Sequence, residues 1–104
     1  MTIRQFDVFR NATRTRIEQP FLVSIQHKDL DHLTTRLVAP LATQQLVRAA
    51  SRLNPMFKIG GQTLYLLPQN LAAHPVRLLR AAVDSLEQDR DRIIAAIDLM
   101  ITGV

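Results

Sequence analysis

The sequence predicts a mainly β fold completed by a C-terminal α-helix. Three observations carry this. Short runs of alternating apolar and polar residues, separated by turn residues, fill the first two thirds of the chain. A Gly60-Gly61 pair sits between two apolar runs, and a stripe of helical period occupies the C-terminal end. A chain of 104 residues supports one small core, so residues 1–104 are read as a single domain.

The elements follow in order. Ile3, Phe6, Val8 and Phe9 place a first strand around residues 3–10, before a polar stretch over 11–16. Residues 20–26 show the clearest alternation, with Phe21, Val23 and Ile25 on one face. A polar, charged loop over 27–35 leads to a strand at 36–39, expected to stop at Pro40, which has no N–H for a ladder. Thr43 is placed to cap a short helix over 44–52, with Leu46, Val47, Ala50 and Leu53 on one face. Asn54-Pro55 ends it, because the residue before proline is pushed out of the α region. Residues 56–59 and 63–67 then form a hairpin, since two glycines supply the positive φ values of a type I′ turn.

Val76, Leu79, Val83 and Leu86 fall at helical spacing, which predicts helix over 76–83, although Pro75 and the β-branched Val76 and Val83 also suit extended chain. A C-terminal helix is expected over 85–102. Ser85 and Gln88 form a capping-box pair, and Leu86, Ile93, Ile94, Ile97, Met100 and Ile101 form one stripe. Gly103 stops it. Apolar residues so close to a terminus must be covered by the core, a second copy or a partner.

Composition removes several functions. The absence of cysteine excludes a disulfide scaffold, a thiolate metal site and a cysteine nucleophile. It fits a reducing compartment, and with no apolar run near the roughly 18 residues of a membrane span and no apolar leader, a cytoplasmic protein is expected. Net charge is +4, and all but Lys28 and Lys58 of the 13 basic residues are arginines, which suit carboxylates, phosphates and aromatic faces. The cations are scattered and the aromatics few, so no direct, specific nucleic-acid contact is expected.

Chemistry-bearing motifs are sparse. His27, His32 and His74 lack metal-ligand spacing, so no metal and no cofactor are expected. His32 with Asp31 as its orienter is the nearest approach to an acid–base pair, against the plainer reading of surface histidines in a polar loop. Gly60-Gly61 lacks the lysine and helix of a phosphate-binding loop. The carboxylates of 84–98 are interleaved with arginines, as on a solvated helix face. No catalytic residue is assigned.

An ordered set of fragments gives the chain a resemblance. They are Gln5-Phe6-x-Val8, Val23-x-Ile25-Gln26, Val38-x-Pro40-Leu41-Ala42, Ser51-Arg52-x-x-Pro55-x-x-x-Ile59-Gly60, Ala72-x-x-Pro75-Val76 and Ala96-Ile97-x-Leu99-Met100-x-x-Gly103-Val104. In this order and spacing, end to end, the chain resembles the CcdB family, toxins of toxin–antitoxin modules that poison DNA gyrase. The resemblance implies an SH3-like β-barrel with a small extra sheet, extended chain rather than helix over 76–83, and a homodimer that binds the gyrase A subunit. It also implies neutralisation by a cognate CcdA-like antitoxin, with no catalysis and no cofactor.

The family carries its target contact on a C-terminal Trp-Gly-Ile, whose paired indoles stack on arginines. By residue-wise carry-over the target-facing tip here is Asp98, Thr102, Gly103 and Val104, with threonine at the tryptophan position. Two alternatives stand beside this: a ribonuclease like the MazF and Kid toxins of the same fold, or a family member that binds antitoxin but poisons nothing.

Overall fold

The computed structural model describes residues 3–44, 46–47 and 49–104. Its strands are β1 (Asp7–Arg10), β2 (Phe21–Ser24), β3 (Thr35–Ala42), β4 (Met56–Ile59), β5 (Gln62–Leu66), β6 (Ala72–Pro75) and β7 (Asp84–Ser85), followed by α1 (Arg90–Thr102). The strands pair antiparallel in the order β4-β5-β3-β2-β1-β7 and curl into a nearly closed barrel, with β6 branching from β3. The smaller sheet is this branch, in which Thr35–Val38 of β3 pair with β6 while Leu41 and Ala42 pair with β5.

The alternation read in the sequence sorts side chains into two apolar clusters. Val23 and Ile25 join Phe6, Val8, Leu41, Phe57, Leu64 and Leu66 beneath Ile93, Ala96 and Ile97 of α1, with Phe21 packed against that cluster. Leu22 points the other way, toward Phe9, Val38, Ile3 and Leu79. A strand with apolar residues on both faces is covered on both sides, and β2 is buried from Leu22 to Ser24.

Several expectations are corrected. The first strand begins at Asp7, because buried Phe6 takes φ 69° and turns the chain; its N–H still donates to Ser24 and its carbonyl accepts from Leu86. β3 runs through Pro40 instead of stopping there. The Pro40 carbonyl accepts from Leu67 at 2.9 Å, so its nitrogen lies on the same edge, where β3 exchanges β6 for β5 and the lost donor does least harm. The hairpin is as expected, with Gly60 and Gly61 at φ 57° and 81° between paired Ile59 and Gln62.

No helix forms among the described residues of 44–52; Gln45 and Arg48 lie outside the described residues. Val47 is drawn into a small cluster with Ala42, Tyr65 and Leu67, leaving Leu46 exposed, and Ser51 and Asn54 close a turn on each other. Nine residues are too few to hold a helix without a matching packing face. Over 76–83 the structure is neither the helix of the spacing nor the small-sheet strand that the resemblance implies: that strand ends at Pro75, Val76–Leu78 is one 3₁₀ turn, and Leu79 then inserts beside Phe9.

The C-terminal helix begins later than the capping box suggests. Asp84 and Ser85 pair with Val8 and Asp7, and Leu86 N–H reaches the Phe6 carbonyl. That backbone is committed to β1, so Ser85 caps only the 3₁₀ turn Glu87–Asp89, accepting from Glu87 N–H at 3.2 Å, and α1 starts at Arg90.

Candidate functional site

The four residues assigned to the tip lie together at the free end of α1. The helix is held by Ile93, Ala96 and Ile97, which face the barrel core. Asp98 and Thr102 lie one turn apart on the opposite, exposed face. The Thr102 hydroxyl donates to the Asp98 main-chain carbonyl at 2.7 Å. Gly103, at φ 79°, sends its N–H back to Leu99 at 2.9 Å and turns the chain out of the helix, leaving Val104 80% exposed. Among the described residues, no cation lies within ion-pair distance of the Asp98 carboxylate.

This geometry fixes what the tip offers: a carboxylate, the Thr102 methyl group and two apolar side chains. The threonine proton is already used within the helix, so Thr102 has only acceptor lone pairs left for a partner. Ile101, assigned by periodicity to the core stripe, is 66% exposed and belongs to the tip instead. Ile94 sits two turns before it on the same flank and is only half-buried. The signal was present in the spacing: the stripe is wider than one core-facing strip, and its flank at 94 and 101 rotates away from Ile93 and Ile97.

The loop chemistry does not assemble. Asp31 does not orient His32; its carboxylate lies 3.7 Å from Arg36 Nε. Arg36 is buried, and its guanidinium donates to the carbonyls of Leu33 at 2.6 Å, Thr35 at 3.0 Å and Asp31 at 2.8 Å. It pins the 31–35 loop. His27 Nδ1 accepts from Asp29 N–H at 3.1 Å and caps the 3₁₀ turn Lys28–Leu30. His74, half-buried in β6, is held below its ordinary pKa by that burial. The described residues hold no cluster of three or more metal-ligating side chains. None of their helices is long and apolar enough to cross a membrane.

Arginines lie over aromatic rings at the barrel surface: Arg92 over Phe57 at 4.5 Å, Arg90 over Phe6 at 5.8 Å and Arg10 over Phe21 at 6.0 Å. Arg92 and its neighbours line an open groove with Pro55 and Met56, which the sequence alone did not single out. Residues 5–103, nearly the whole chain, match the family model described as CcdB protein.

Proposed function

The chain belongs to the CcdB family, and from that premise we propose that it is a CcdB-like toxin that binds the A subunit of DNA gyrase as a homodimer. In this reading Asp98, Thr102, Gly103 and Val104 face the target, and a cognate CcdA-like antitoxin neutralises the protein. It acts in the cytoplasm by binding, with no catalytic residue, cofactor or nucleic-acid contact of its own.

The observation that carries the reading is the family match, which extends through Gly103 into the tip. The exposure of Ile101 and Val104 supports it, because apolar groups at a helix end gain by being covered. The partly exposed ridge at Ile94 and Ile101 supports a second copy of the chain in the same way. Threonine at the tryptophan position removes an arginine-stacking contact worth about 1–2 kcal/mol when desolvated, so target binding here is weaker than a tip bearing an indole provides.

Expression in growing bacteria tests it. Growth arrest that is relieved by a gyrase A mutation and by co-expression of a CcdA-like antitoxin is the expected result. Arrest that ignores the gyrase mutation and is accompanied by RNA cleavage would transfer the protein to the ribonuclease reading. Antitoxin binding without arrest would make it a member that no longer poisons. Light scattering at micromolar concentration is expected to give twice the 11.8 kDa chain mass.

A further inference from the structure

β4 is a terminal strand of the sheet path, and among the described residues no strand pairs with its outer edge. The Pro55 carbonyl accepts from Leu66, and Ile59 closes the hairpin with Gln62, so Phe57 and Ile59 turn their main-chain groups toward β5. Met56 and Lys58 therefore point theirs outward. One of these groups is already engaged: Arg92 Nη2 donates to the Met56 carbonyl at 2.6 Å. The same guanidinium lies over the Phe57 ring and has Nη1 3.3 Å from Asp89 Oδ1. The Met56 N–H and both main-chain groups of Lys58 continue the edge.

Beside the start of this edge lies an open groove of about 470 Å³, lined by Ala50, Pro55, Met56 and Ala95 with Arg52 and Arg92. Its lining is mainly apolar. Among the described residues neither Arg52 nor Lys58 has a carboxylate within 4.0 Å. Of the acids on the adjoining helix end, Asp89 faces Arg92, and Asp91 is exposed. Arg92 is pre-ordered by three contacts, so little side-chain freedom remains to be lost on binding. An unpaired strand edge beside an apolar groove with arginines is the arrangement that receives an added strand.

We infer that this edge and groove receive an extended, acidic segment of a protein partner, which adds to β4 as an outer strand. Its apolar side chains lie against Ala50, Pro55 and Ala95, and its carboxylates meet Arg52, Arg92 and Lys58. This rests on the reading above, under which the partner is the antitoxin.

Calorimetric titration of the full chain with a purified CcdA-like antitoxin tests it. Lys58→Pro removes an outward N–H without touching the β4–β5 ladder, a position where an edge strand tolerates proline. Ala95→Glu is an independent variant at an exposed helix position, adding to the groove bulk and a negative charge that repels the carboxylates of the proposed segment. Each is expected to weaken binding about tenfold or more, and the control Lys58→Gln by less than about threefold. The Met56 and Lys58 amide resonances are expected to shift on binding. Native affinity in both variants, with those amides unmoved, overturns the groove assignment and leaves the antitoxin reading standing. Loss of the chain's own dimer in Lys58→Pro overturns it in favour of a second copy at this edge. No binding by the native chain overturns the antitoxin reading and the groove together.

Discussion

The Thr102 hydroxyl and the Asp98 carbonyl, 2.7 Å apart, tie together the two helix residues assigned to the target-facing tip. Gly103 N–H is bonded back to the Leu99 carbonyl, one of the carbonyls that a helix end leaves without a partner. What projects is Val104, Ile101 and the carboxylate of Asp98. The tip therefore presents apolar surface and one charge, with its hydroxyl proton already used.

Thr102→Trp tests this. An indole restores a stacking surface for arginine at a cost of one internal hydrogen bond, and binding to a gyrase A fragment is expected to tighten by about tenfold. Removal of Gly103 and Val104 is expected to abolish that binding while the circular dichroism stays native, because both lie past the residues that pack on the core. Calorimetry reads both. Tight binding that ignores both changes would place the target contact elsewhere on the barrel.

Arg36→Met is expected to destabilise the fold by about 2–4 kcal/mol in urea denaturation, because three carbonyls lose their donors at once. The same change in His32, which is exposed, is expected to be nearly neutral. Equal effects would show that the 31–35 loop is not pinned from below.

Gly61→Val isolates backbone strain. A Cβ at Gly61 meets no neighbouring atom within 4 Å, so the penalty comes from φ 81° alone, about 1–2 kcal/mol for a β-branched residue. Gly61→Asn is expected to cost clearly less, since asparagine tolerates the left-handed region. Thermal unfolding of the pair checks the order, and equal losses would mean the turn does not hold these φ values.

His74 gives the fold a pH dependence. Burial lowers its pKa below 6.5, so the unfolded chain binds this proton more readily than the folded one. Stability from this residue is complete above about pH 6.5 and declines as pH falls toward the lower folded value. Lys or Arg at 74 would fix the charge, so the informative variant is His74→Gln, whose midpoint is expected to vary less between pH 7.5 and 5.5 than that of the native chain. Unchanged slopes would show that His74 does not titrate in this range.

Much of the fold was legible in residues whose behaviour is local. Phe21, Val23 and Ile25 share one face because successive side chains of a strand point to opposite sides, and they meet the core as read. Gly60 and Gly61 needed positive φ, and no neighbour alters that requirement. The tip was legible only by resemblance, since nothing in the spacing of Asp98, Thr102, Gly103 and Val104 marks them apart from the helix end they form. The helical spacing of 44–52 and 76–83 misleads for one reason: isolated apolar plugs such as Val47 and Leu79 also produce it in a short segment, and only the hole each residue meets distinguishes the two.

By itself, then, the sequence determined the apolar alternation, the tight hairpin and the helix near the C-terminus, all properties written within a few residues by sterics and periodicity. The tertiary structure decided where neighbours outbid local preference. β3 continues through Pro40 because its missing donor falls where two partner strands meet. α1 waits until Arg90 because Asp84, Ser85 and Leu86 give their backbone to β1 and Phe6. Ile101 lies at the surface because the helix turns Ile93, Ala96 and Ile97 toward the barrel core and its flank at Ile101 away from it.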